Sequence, residues 1–137
     1  MKTSVKLNVS AHYFFQRILD IRLYDIYEAT GRSVSVKQLA GFAYETENNS
    51  GEPCRISVTS LKPNQSYHYQ IETQAMVISA AYELKALAKD QVQVDFRQIS
   101  KTKKQLHSMK DRLTSKIFDH IKANNFKKVL KQMEIGY

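Results

Sequence analysis

The stretch from Lys103 to Ile135 contains neither glycine nor proline and follows a run of strand-like segments. Leu106, Met109, Leu113, Ile117 and Ile121 recur in it at helical spacing, with Lys110, Arg112, Lys116 and Lys122 around them. That pattern predicts a long amphipathic helix. Such a helix cannot bury its apolar face alone, so the rest of the chain must supply a second layer.

The middle of the chain reads as that layer. From Gly41 the apolar period becomes two: Phe42, Tyr44 and Thr46 face one way, Ala43, Glu45 and Glu47 the other. Ile56 and Val58 alternate with Ser57 and Thr59, and Tyr67, Tyr69 and Ile71 with His68, Gln70 and Glu72. Met76, Ile78, Ala80, Tyr82 and Leu84 follow, then Val92, Val94 and Phe96. The breaks, at Asn48 to Pro53, Lys62 to Gln65, Gln74 to Ala75 and Ala88 to Asp90, are too short for parallel crossovers. The strands therefore form an antiparallel meander.

Ahead of the meander, Val5, Leu7 and Val9 share one side of a first strand, and Ser10 stands where a helix N-cap should. Ala11, Phe14, Phe15, Ile18 and Leu19 make a helical stripe continued by Leu23, Ile26 and Tyr27, and Gly31 suits the left-handed end. A helix over about Ala11–Ala29 is expected. Ser35 and Gln38 match a capping box, predicting a short turn of helix before Gly41. The order strand, helix, antiparallel strands, long helix gives an α+β single domain over residues 1–137, its sheet curved around the last helix.

That last helix cannot be straight throughout. Leu106, Met109, Leu113 and Ile117 fall within about 80° of arc, whereas Phe126, Val129, Leu130 and Met133 cluster about half a turn away. A break is expected at Lys122–Asn125, where Asn124 and Asn125 offer local caps. The second stripe then folds on another surface or joins a second copy of the chain through residues 126–133.

The run Val5-Lys6-Leu7-Asn8-Val9-Ser10-Ala11-His12-Tyr13-Phe14-Phe15 passes straight from strand into capped helix. With the meander and final helix behind it, the chain resembles the START-like, or helix-grip, superfamily that includes the pathogenesis-related plant allergens and polyketide cyclase-like proteins. More narrowly, Leu23 to Ile26, Thr30-Gly31, Leu39 to Tyr44 and Phe126-Lys127-Lys128 are similar to a small bacterial family of unknown function within it. The resemblance implies a helix-grip fold with a cavity between long helix and sheet, holding an apolar or amphipathic ligand. It carries no catalytic residues with it.

Charge and chemistry narrow the function classes. Residues 101–137 hold ten Lys/Arg against three acids, a balance of +7 within a total of +8. A basic end of this kind meets nucleic acid or anionic lipid, or simply solvates the outer face of a helix. Lys127, Lys128 and Lys131 are its candidate surface, with nucleic acid and membrane as lesser alternatives to a small-molecule partner. No apolar run approaches the ~20 residues of a membrane span, and a single cysteine, Cys54, fits a cytoplasmic protein.

His12, His68, His107 and His120 stand in no metal or hydrolase frame, Glu45 and Glu47 read as solvated, and no nucleotide fingerprint occurs. No cofactor, metal or catalytic residue is expected, and the reading leans against an enzyme. The tyrosines point elsewhere. Tyr44, Tyr67, Tyr69 and Tyr82 share the apolar side of their strands, and several buried hydroxyls on one face either accent a pocket or reach the rim of an aromatic core. With Phe96, Leu113, Ile117 and His120 they are the residues expected to border a ligand cavity. A solid core with a structural or interaction role is the competing outcome.

Overall fold

A computed structural model describes residues 1–103 and 123–137. Its elements are β1 (Lys2–Leu7), α1 (Ala11–Thr30), α2 (Val36–Leu39), β2 (Ala43–Glu47), β3 (Pro53–Lys62), β4 (Ser66–Glu72), β5 (Met76–Ala88) and β6 (Gln91–Thr102). Residues 123–132 are helical and are labelled α3. The α+β helix-grip class is borne out: one curved antiparallel sheet carries an N-terminal and a C-terminal helix on one face.

Local chemistry explains the boundaries. The Tyr13 amide donates to Ser10 Oγ at 3.0 Å, capping α1. Gly31, at φ 72°, ends it with its amide on the Tyr27 carbonyl at 2.8 Å. Only glycine takes that left-handed turn without steric cost. At α2 the Ser35 amide donates to Gln38 Oε1 at 3.1 Å, the return half of the capping box. Asn64 tolerates φ 60° in the β3–β4 turn.

The six strands lie in the order β1-β6-β5-β4-β3-β2. The meander is as expected from the short breaks. The first strand closes the sheet by pairing antiparallel with the last, Val5 opposite Val94. Register shifts at Val58/Ser60 and Ala86/Ala88 mark irregularities of the kind that bend a sheet. Across the centre, Leu61, Tyr67, Tyr82, Phe96 and Thr3 stand in one row on one face.

That inner face and α1 make the core. Phe14, Leu19 and Ile26 of α1 are fully buried, with Leu7, Val92, Val94 and Tyr67 of the sheet. Two parts of the expected α1 stripe differ. Leu23 is only half-buried, and Tyr27 is 53% exposed, because the face that turns inward runs through residue 22 instead.

At the C-terminal end, Lys103 does not start a helix; its amide bonds to the Ala75 carbonyl at 2.9 Å and closes the end of the sheet. Leu106 to Lys122, which carry the first apolar stripe, lie outside the described residues. The expected break at Lys122–Asn125 lies partly there too, while Asn124 and Asn125 are themselves helical. Of the second stripe, Leu130 is fully buried and Phe126 and Met133 half-buried against the same core, so α3 packs within the chain and only Val129 points out.

Candidate functional site

The side chain that organises the inner face is Arg22. It sits four residues after Ile18 and four before Ile26, both buried, and so projects inward with them. Its guanidinium reaches two strands at once. Nε donates to the Tyr67 hydroxyl at 2.8 Å and Nη1 to the Tyr44 hydroxyl at 2.9 Å. Cζ lies 4.6 Å from the Tyr69 ring centroid, a cation–π contact. Asp25, one turn along α1, is the counter-charge, with Oδ2 3.5 Å from Nη1. The Tyr44 hydroxyl bridges them, accepting from Arg22 and donating to Asp25.

A buried cation costs solvation energy unless its donors are met and its charge balanced. Only 14% of the Arg22 side chain is exposed, against 43% for Asp25. Burial disfavours the charge of Arg22, yet the Tyr67 and Tyr44 oxygens more than offset it, and its pKa rises above the ordinary value. Burial also pushes the Tyr44, Tyr67, Tyr69 and Tyr82 hydroxyls up, most of all Tyr82, with Arg22 pulling the other way at each. All four are neutral hydroxyls at pH ~7.

Tyr67, Tyr69 and Tyr82 form one aromatic array. Tyr67 lies 5.2 Å from Tyr69 and stacks on Tyr82 at 6.0 Å with rings 4° from parallel. Tyr82 then meets Phe96 at 4.7 Å, and Phe96 meets Phe126 of α3 at 4.5 Å. Tyr67, Tyr69, Tyr82 and Phe96 are thus ring neighbours, and Tyr44 joins them through Arg22. Leu113, Ile117 and His120 lie outside the described residues, as does His107.

Beyond this array the inner face changes character. In β6 the inward series Val92, Val94, Phe96 continues as Gln98, Ser100 and Thr102. Ile71, Ile78 and Ser100 are register partners in the next row but one from Tyr82. Met76 and Ile78 are half-buried and stand apart from the core cluster, and Ser100 is exposed. Half of the face is therefore a closed aromatic core, and half is an amphipathic surface bordered by Tyr69 and Arg22.

Other candidates have plain uses. His68 pairs with Glu83 at 2.6 Å on the outer face, and His12 with Asn64 at 3.2 Å. Lys127, Lys128 and Lys131 are exposed on α3, Lys131 bonded to Glu134 at 2.9 Å. A recess of about 400 Å³ on the outer face is lined in part by His68, Gln70, Arg97 and Ile99, and Tyr69 contributes to its lining. Among the described residues, no helix is long and apolar enough to cross a membrane.

Arg22 and Asp25 are the residues that sequence reasoning missed. The signal was present: a lone charge at the position where the stripe Ile18–Ile26 demanded an apolar side chain.

Comparison with known proteins agrees with this architecture. The family described as Domain of unknown function (DUF3284) matches residues 1–119. Among solved structures, Ara h 8.0201 superposes with a TM-score of 0.62 at 12% identity, over 100% of this chain and 97% of that one. The Aha1 dimer from Colwellia psychrerythraea gives 0.59 at 19% identity over 99% and 96%. A START superfamily protein from Mycobacterium smegmatis gives 0.55 at 10% identity over 97% of each chain. No curated protein matches the sequence. At these identities the likeness is one of fold.

Proposed function

For a chain that belongs to the DUF3284 family, we propose that the function is to bind a small apolar or amphipathic molecule between the inner face of the sheet and the C-terminal segment. Tyr44, Tyr67, Tyr69, Tyr82 and Phe96 border the space from the sheet, with Leu113, Ile117 and His120 assigned to its other side. A cytoplasmic setting suits a protein whose one cysteine, Cys54, is a buried free thiol.

One observation carries the reading: the inner face does not end as a core ends. Past Phe96 it turns to Gln98, Ser100 and Thr102 beside half-buried Ile71, Met76 and Ile78. A solid core has no use for polar side chains on its packing face, whereas a pocket needs a mostly apolar wall with a few polar groups. START-type folds among the structural neighbours fit the same use by analogy alone.

Native mass spectrometry of the purified chain tests this. The expected result is a population heavier than the polypeptide by a discrete organic mass that solvent extraction removes. A bare polypeptide that also fails to take up the uncharged apolar dye Nile red sinks the proposal and favours a structural role.

A further inference from the structure

We propose that Arg22 anchors a carboxylate, so that the molecule taken up on the inner face is an amphipathic acid. This rests on the binding reading above and adds the chemistry of the head group.

The geometry leaves Arg22 a charge and donors to spend. A guanidinium has five N–H groups in a rigid fork suited to carboxylates. Its hydrogen bonds within the protein use Nε toward Tyr67 and Nη1 toward Tyr44 and Asp25. The two donors on Nη2 make none among the described residues. Asp25 is a poor neutraliser: it touches Nη1 only at 3.5 Å, and its Oδ2 already accepts from Tyr44. A pair built for mutual neutralisation would show the short two-pronged contact of a fork on a carboxylate. Here the cation is the more buried partner and the anion the more exposed one, so positive charge is left on the inner face.

The neighbours carry the same sign of preference. The Tyr67 oxygen accepts from Arg22, leaving its proton to donate. Tyr69 places its ring against the guanidinium, 4.6 Å from Cζ to the ring centroid. What the site offers is donors, and the group that satisfies several donors around a cation is a carboxylate. The apolar part of such an acid then has Ile71, in the strand of Tyr69, and Met76 and Ile78, in the next strand, to lie along.

The test compares dodecanoate with dodecan-1-ol, which share a chain and differ in the head group. Each displaces Nile red from the full chain at pH about 8, where the acid is ionised. The wild type is expected to hold dodecanoate at least about tenfold more tightly than the alcohol. The preference should persist in about 0.5 M salt, which would erase attraction to the exposed lysines but not to a buried cation. Arg22→Gln should bring the two affinities together, while Arg22→Lys keeps part of the preference. Equal affinities in the wild type overturn the carboxylate anchor and leave the binding reading standing. A preference that survives Arg22→Gln, or that salt removes, also overturns it. Failure of Nile red and both compounds to bind overturns the anchor and the binding reading together. Should Arg22→Gln lose its cooperative melt, the wild-type acid–alcohol contrast in salt decides without it.

Discussion

The Nε of Arg22 donates to the Tyr67 hydroxyl at 2.8 Å, and that bond ties α1 to the centre of the sheet. Tyr67 is 2% exposed, so no water replaces its oxygen when it is removed. Tyr67→Phe strands a donor of a buried cation and should cost about 1–3 kcal/mol. Asp25→Asn acts on a half-exposed group at 3.5 Å and should cost under about 1 kcal/mol. Urea unfolding of both variants checks the order; equal losses would mean that the tyrosine is not the essential partner.

A second prediction concerns α3. Phe126 meets Phe96 at 4.5 Å and Leu130 is fully buried, whereas Val129 is 51% exposed. Leu130→Ala and Phe126→Ala should each destabilise by about 2–5 kcal/mol through lost burial and an imperfectly closed cavity. Val129→Ala should stay within about 0.5 kcal/mol. If thermal melts rank Val129 with the other two, α3 packs by a different face.

How much of this could be read in the sequence depends on the range of the interaction. The meander, the capped start at Ser10 and the stop at Gly31 follow from local alternation and local hydrogen bonds, and they stand where expected. The four tyrosines converge because the two-residue period fixes the face of a strand. The β1–β6 pairing joins residues far apart in the chain, and no local signal specifies it. Arg22 was hidden for another reason. Composition treats a charge on a helix as solvent-facing, and only the partners on two strands make its burial tolerable. Tyr27 was misplaced by the same error: once residue 22 faces inward, residue 27 is carried outward.

The two ends of α1 separate capping from strain. Ser10→Ala removes the acceptor of the Tyr13 amide and should cost about 1 kcal/mol. Gly31→Ala meets no atom within 4 Å of the added Cβ, so its cost is the left-handed backbone alone, about 1–2 kcal/mol. Gly31→Asn should recover part of that loss, since asparagine accepts this conformation more readily. Chemical denaturation of the three variants gives the ranking. Equal losses for Ala and Asn at residue 31 would count against strain as the cause.

Alkaline pH should unfold this protein steeply, and the sign follows from the tyrosines. Burial raises Tyr44, Tyr67, Tyr69 and Tyr82 above their ordinary range. In the unfolded chain each ionises near pH ~10. Above that pH the unfolded state has lost protons that the folded state keeps, so the unfolded state gains stability as pH rises. The contribution is fully present below pH ~10 and is lost through the interval up to the folded values, at about 1.4 kcal/mol per pH unit for each group. Tyrosinate absorbance and circular dichroism followed together should show a fraction of the eight tyrosines titrating in the native protein. These four should then ionise only as the helical signal collapses. Tyr82→Phe removes the most strongly raised of these titrations and should make the collapse less steep in pH. Should all tyrosines ionise in one step with the circular dichroism unchanged, the aromatic array is open to water and the inner face is not packed as described.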